Sequence, residues 1–186
     1  MVYSAGVRVD LVLTIIGPDR PGLVELVSRT VSNHEGNWEA SRMARMAGRF
    51  AGILQVSVPE EQAAALSAAL GALDAQGLRV VVERGPAPAA PGPGATRRLK
   101  VELVGHDRPG VIRDVSAALA ERGVNVEELA TACDSAPMSG GALLRVSFAV
   151  SAPADLAPDA LRALVEARAP DFMVDVGLLS DPAAAS

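Results

Sequence analysis

The 186-residue chain is poor in aromatic residues, with one Trp, one Tyr and three Phe making 3% of its composition. Stacking platforms for single-stranded nucleic acid or sugar rings therefore have little to be built from. Positive charge is also short. Lys plus Arg number 17 against 22 for Asp plus Glu, a net charge of −5 with a pI near 5.1. That is the wrong sign for neutralising phosphate backbones, so no direct nucleic-acid contact is expected. A single cysteine, Cys133, excludes an internal disulfide, and with only His34 and His106 beside it there is no cluster for structural zinc. No metal or cofactor is expected, and a reducing cytoplasm is the default compartment. The first residues, Met1 to Asp10, hold no basic segment followed by an apolar run, because Arg8 and Asp10 interrupt it. The longest apolar stretches, such as Leu11 to Ile16, fall far short of the roughly 20 residues a membrane helix needs, so a soluble chain without membrane contact is expected.

What is present is apolar material, 49% of residues against 21% charged, enough for one ordinary domain or two small ones. A repeat decides between them. Gly17-Pro18-Asp19-Arg20-Pro21-Gly22 returns 88 positions later as Gly105-His106-Asp107-Arg108-Pro109-Gly110. The same offset superposes Val27 on Val115, Val31 on Leu119, Asn37 on Asn125 and Glu39 on Glu127. Further on, Leu54-Gln55-Val56-Ser57-Val58 matches Leu144-Arg145-Val146-Ser147-Phe148 at an offset of 90, which puts two extra residues of the second copy within Asp134 to Gly141. That segment reads as a longer hairpin loop. Residues 85–96 alternate Pro with small residues and read as a semi-extended tether. The division expected is a first domain over 1–84, a linker over 85–96, a second domain over 97–180 and a frayed tail over 181–186.

Within each copy the hydrophobic period switches in a fixed order. Val7, Val9, Leu11, Leu13 and Ile15 alternate as a first strand, as do Leu99, Val101 and Leu103. Leu23, Val24, Val27 and Val31, or Val111, Ile112, Val115 and Leu119, follow at helical spacing, with Pro21 and Pro109 where a first turn tolerates them. All eight are read as core. Second strands run from about Asn37 to Met46 and Asn125 to Cys133, and third strands around Phe50 to Val58 and Ala142 to Ser151. Second helices over Glu60 to Gln76 and Asp159 to Ala167, then fourth strands over Leu78 to Glu83 and Phe172 to Leu179, complete the order βαββαβ twice. This predicts an α+β fold of two ferredoxin-like units, each an antiparallel four-stranded sheet with its helices on one face.

The junction of first strand and first helix is the most informative feature. Gly17 and Gly105 allow a tight exit from the strand, and Gly22 and Gly110 let another group approach the backbone. Free N–H groups at the helix start suit a carboxylate, while Asp19 or Asp107 could pair with an ammonium, so a zwitterionic amino acid fits both halves. The plainer alternative is that Asp caps the helix and Pro-Gly sets its start, with no ligand.

The loop Asp-Arg-Pro-Gly, the apolar helix after it, and the steps Gly123-Val124-Asn125 and Glu35-Gly36-Asn37 into the second strand together resemble the ACT domain, a small βαββαβ regulatory module. The resemblance covers both copies. It implies amino-acid binding where domains or chains abut, with Asp19 or Asp107 and Asn37 or Asn125 contacting the effector. Around them Gly17, Arg20, Pro21 and Gly22, and Gly105, His106, Arg108, Pro109 and Gly110, form the candidate ligand loops. Ser41-Arg42-Met43-Ala44, with Gly48 and Phe50 after it, makes the chain similar also to the tandem-ACT family of glycine cleavage repressors. That likeness implies a glycine- or serine-responsive regulator that restrains a transcriptional activator by protein contact, and a homo-oligomer.

The remaining candidates have bland readings. His106 aligns with Pro18, so a proton is not required at that position. His34 suits the negative end of a helix, Cys133 reads as a structural thiol with no base apparent nearby, and Trp38 as core. Neither Asp-Arg pair has a nucleophile, base or metal cluster beside it in sequence, so an active site is not expected. Alternatives to a sensor are an effector-free module dimerising through sheet edges, or an accessory unit of an amino-acid or folate enzyme.

Overall fold

A computed structural model describes residues 7–85, 96–135 and 142–179. It divides into two compact units, Met1–Ala90 and Pro91–Ser186. Most of the tether, the tip of the longer hairpin loop and the tail lie outside the described residues.

The first unit runs β1 (Arg8–Pro18), α1 (Leu23–Ser32), β2 (Asn37–Met46), β3 (Arg49–Pro59), α2 (Glu60–Gly71) and β4 (Arg79–Arg84). The second runs β5 (Thr96–His106), α3 (Val111–Glu121), β6 (Asn125–Ser135), β7 (Ala142–Pro153), α4 (Pro158–Arg168) and β8 (Phe172–Leu178). The sheets have strand orders β2-β3-β1-β4 and β6-β7-β5-β8, every neighbouring pair antiparallel. This is the ferredoxin-like α+β arrangement expected from the repeat. Gly85 and Thr96, counted with the tether on composition, are held by the sheets: the Gly85 N–H donates to the Asp10 carbonyl, and Thr96 opens β5.

Alternation along the strands buries one sheet face under two helices. In the first unit Leu11, Leu13 and Ile15 of β1 and Leu54, Val56 and Val58 of β3 meet Leu23, Val27 and Val31 of α1 and Leu66 and Leu70 of α2. Removing one such side chain to Ala costs about 2–5 kcal/mol. The second unit repeats the pattern, but Phe148 and Phe172 fill space that the first unit gives to Leu residues; Phe148 lies opposite Val101 as Leu54 lies opposite Leu13, so the third strands correspond at an offset of 94 and not of 90, and the second copy has six extra residues rather than two. Glu60 to Gln76 is not one helix. It ends at Gly71 and tightens into a 3-10 turn over Ala72–Gln76, closed by Gly77 at φ 79°, which swings Leu73 into the core.

Two core expectations are corrected. Val7 precedes β1 and is 74% exposed, because the paired strand begins at Arg8. Val24 is 47% exposed, since the buried stripe follows i, i+4, i+8 and the adjacent position lies about 100° round the helix, whereas its counterpart Ile112 is half-buried and packs against the second core. Pro21 and Pro109 occupy the turn before each helix rather than its first turn. Trp38 packs against the first core as expected.

Candidate functional site

Each candidate loop leaves the end of a central strand and enters a helix through a left-handed glycine, Gly22 at φ 90° and Gly110 at φ 90°. Only glycine adopts that conformation readily, which accounts for the last residue of both motifs. Neither helix start carries a side-chain cap. The plainer reading, in which Asp19 or Asp107 caps its helix, is therefore corrected: both carboxylates belong to the strand end and face β2 or β6. The backbone N–H of Asp19 donates to the Gly48 carbonyl at 3.0 Å, and that of Asp107 to the Ala142 carbonyl at 3.0 Å.

Gly17 and Gly105 serve packing. A Cβ on Gly17 would lie 2.7 Å from the Gly77 carbonyl oxygen, and one on Gly105 would lie 2.7 Å from the Phe172 ring. The arginines also turn inward. Arg20 donates to the Gln76 carbonyl at 2.9 Å, and Arg108 to the Arg168 carbonyl at 3.1 Å. Each thus ties the loop to the end of the second helical segment of its own unit. Arg108 additionally meets Asp114 at 3.4 Å and Asp171 at 3.8 Å. Pro21, Pro109 and His106 are exposed, with His106 in register opposite Leu143.

The two loops differ in what faces the acid. Asp19 is paired with Arg45 of β2 at 3.4 Å. Asp107 is faced by Cys133 of β6, whose Sγ approaches Oδ2 at 3.8 Å, and no described cation is paired with it. Arg45 and Cys133 are 88 positions apart and so occupy one place in the repeat. Sequence reasoning did not connect either to the loop, although the repeat register marked the position. Partial desolvation first, then the Asp107 and Asp134 carboxylates, pushes the Cys133 thiol above its ordinary range. The acid beside it therefore disfavours the thiolate rather than activating a nucleophile. His34 stays local, its Nδ1 lying 2.8 Å from the Thr30 carbonyl.

Asn37 and Asn125 are not beside the loops of their own units. Asn37 aligns with Ser57 and so with Asp10, eight residues before Pro18 along β1. That is roughly 26 Å of strand. Asn37 Nδ2 donates to Glu39 Oε1 at 2.9 Å, and Ser57 Oγ donates to the same oxygen at 2.7 Å. These two bonds hold the Glu39 carboxyl below its ordinary range. Asn125 aligns with Ser151 at the equivalent far end. Within one unit the loop and the Asn cannot touch one small molecule.

Comparison with known proteins agrees with the geometry. The ACT domain pattern matches residues 10–83 and, in a second form, residues 100–168. The chain is 28% identical over 145 residues to the glycine cleavage system transcriptional repressors of Escherichia coli K12 and Shigella flexneri, covering 77% of this chain and 75% of each relative. A crystal structure from Galdieria sulphuraria, of a protein without assigned function, is 30% identical with a TM-score of 0.77, over 94% of this chain and 100% of that one. A structure provisionally described as a glycine cleavage system transcriptional repressor superposes with a TM-score of 0.67 at 19% identity, over 95% of this chain and 100% of that one. No helix among the described residues is long and apolar enough to cross a membrane. With both βαββαβ units matched, the chain belongs to the ACT domain family and carries two such domains in tandem.

Proposed function

We propose that the chain is a non-catalytic sensor of a small amino acid that acts by contact with another protein, and that its second loop is the effective ligand site. The observation carrying this reading is the unequal state of the two acids. The Asp19 carboxylate already has the Arg45 guanidinium, whereas Asp107 has only a neutral thiol. An α-ammonium group gains most at the acid with no cation. The effector's carboxylate would sit against the uncapped amides that follow Gly110, where the helix dipole is positive.

Likeness to proteins named glycine cleavage system transcriptional repressors supports glycine as the first effector to test and serine as the second. It also supports a transcriptional activator as the regulated partner, consistent with a net charge of −5 that disfavours DNA itself. A single exposed loop buries too little of a ligand to bind it well. We therefore assign Asn37 or Asn125 to sites completed by a loop from a second chain. Ligand binding then sets the geometry of that junction and the affinity for the partner.

Thermal unfolding with a panel of amino acids tests the reading. A ligand at about 100 times its Kd stabilises the folded state by about 2.7 kcal/mol, so glycine or serine at millimolar concentration is expected to raise Tm. No shift with any amino acid would overturn the sensor.

A further inference from the structure

The units differ at the step from third strand to second helix. In the first, α2 starts at Glu60, directly after Pro59 closes β3, and its first turns bury Ala63 and Leu66. In the second, Pro158 takes the first helical position of α4 and holds the residue before it, Ala157, extended at φ −66° and ψ 144°. The helix therefore cannot start at the end of β7. Residues 154–157 form a turn instead, in which the Leu156 N–H donates to the Pro153 carbonyl at 3.0 Å. At the offset that relates the third strands, Ala157 and Ala160 take the places of Ala63 and Leu66, and both are exposed.

The late helix leaves a cleft of about 430 Å³ between that turn and the end of α3, lined by Arg122, Pro153, Asp155, Leu156, Ala157 and Ala160. Its size falls within the roughly 300–1,000 Å³ of small-molecule sites. Four of the six lining residues are apolar, and Arg122 and Asp155 add one charge of each sign. Among the described residues neither has an ion pair or a side-chain hydrogen bond. The charged groups around them are otherwise placed: Glu121 pairs with Arg168 at 2.9 Å, Arg97 donates to the Ala154 carbonyl at 3.2 Å, and Asp159 lies in the first turn of α4. In the first unit the place of Arg122 is held by His34, whose ring is engaged by the Thr30 carbonyl.

We propose that this cleft binds a free aliphatic amino acid, with its carboxylate on the Arg122 guanidinium, its ammonium on the Asp155 carboxylate and its side chain against Pro153 and Leu156. A guanidinium presents paired N–H donors that match a carboxylate, and an ammonium gains at a carboxylate that has no cation of its own. One unpaired charge of each sign suits a zwitterion better than a simple anion or cation, either of which leaves the opposite charge unanswered. The apolar lining favours a branched side chain, whose methyl groups leave water on binding. The cleft is separate from the candidate loop of the same unit. Pro153 pairs with Thr96 at the start of β5, whereas Asp107 follows its end, roughly 30 Å of strand away.

Isothermal titration of L-valine into the full chain tests the site, with circular dichroism to verify that each variant is folded. The wild type is expected to bind valine with a Kd of about 1 mM, as suits a ligand of so few atoms. Isobutylamine lacks the carboxylate and isovalerate lacks the ammonium, so each should bind at least roughly tenfold more weakly than valine. Arg122→Gln and Asp155→Asn should each weaken valine binding roughly tenfold or more. Ala160→Leu, which puts the first unit's residue at that place, should fill the cleft and abolish binding. In amide NMR spectra valine should shift Gly123, Leu156 and Ala157 and leave Gly110 and Cys133 unmoved. No binding at about 20 mM valine, an affinity unchanged in both Arg122→Gln and Asp155→Asn, or equal binding of either single-charge analogue would each overturn the proposal. Shifts at Gly110 and Cys133 in place of those at the cleft would put valine in the loop, and would overturn the cleft while leaving the loop reading intact. Valine in the cleft of a chain that takes no glycine at the loop would do the reverse.

Discussion

The two ACT domains share a scaffold and diverge at the same two places, the acid at the strand end and the open face of the sheet. What they share is built from residues that packing demands. Gly17 and Gly105 each pass hard against the start of the last strand, and Gly22 and Gly110 supply a backbone that only glycine accepts easily. What they do not share are exposed side chains, where a change costs the fold little: Arg45 against Cys133, Val12 against Lys100, Thr14 against Glu102. The loop geometry is thus common to both halves while the charges around it differ. We read the second half as the ligand site.

The largest effect should come where the domains are alike. Gly17→Ala and Gly105→Ala each force a Cβ into contact at 2.7 Å, with a backbone oxygen in one case and an aromatic ring in the other. Overpacking of this kind costs about 1–3 kcal/mol, and urea unfolding should show comparable losses for both. A large loss for one alone would break the claim of a common scaffold. Next come the arginines. Arg20→Ala loses a guanidinium-to-carbonyl bond worth about 1 kcal/mol. Arg108→Ala should lose more, because Arg108 reaches Asp114 and Asp171 as well. Equal losses would mean that those extra carboxylates contribute nothing.

A smaller effect separates the acids. Removing the Asp107 charge relieves part of the upward push on the Cys133 thiol, so Asp107→Asn should speed alkylation by iodoacetamide at pH 8 by roughly two- to threefold. Arg45→Cys in a Cys133→Ser background should create a thiol beside Asp19 that reacts as slowly as Cys133 does; a fast-reacting one would show that the two acid sites are not equivalent once the partner is exchanged. The smallest effect concerns pH. Glu39 is held below its ordinary range when folded, so its contribution is present above the unfolded value of about 4.3 and is lost as pH falls through the folded one. Glu39→Gln should therefore make the fall in stability between pH 5 and pH 3 slightly shallower, measured as the urea midpoint. An unchanged profile would remove the Asn37–Glu39–Ser57 cluster from the account.

Much of this was legible in the sequence, because strong periodicity and a six-residue repeat fix where strands and helices lie. β2 spans Asn37–Met46 as the alternation indicated, and the double βαββαβ order holds throughout. The site was legible only in part. The repeat located both loops, but not that Arg20 and Arg108 would turn toward their own helices, since a long flexible side chain has no direction in sequence. Nor did it show that Asn37 and Asp19 lie at opposite ends of one sheet, which follows from β1 and β2 running parallel with β3 between them. The partners of the acids, Arg45 and Cys133, became visible only once the strand register was known.

The central claim is that an amino acid's ammonium group is taken by Asp107 and not by Asp19. Isothermal titration of glycine into the wild type, Asp19→Asn and Asp107→Asn tests it most directly. Loss of a charge-assisted contact worth about 1.5–3 kcal/mol should raise Kd at least roughly tenfold in Asp107→Asn, while Asp19→Asn should stay within about threefold of wild type. Equal affinities in all three proteins, or a loss confined to Asp19→Asn, would contradict it.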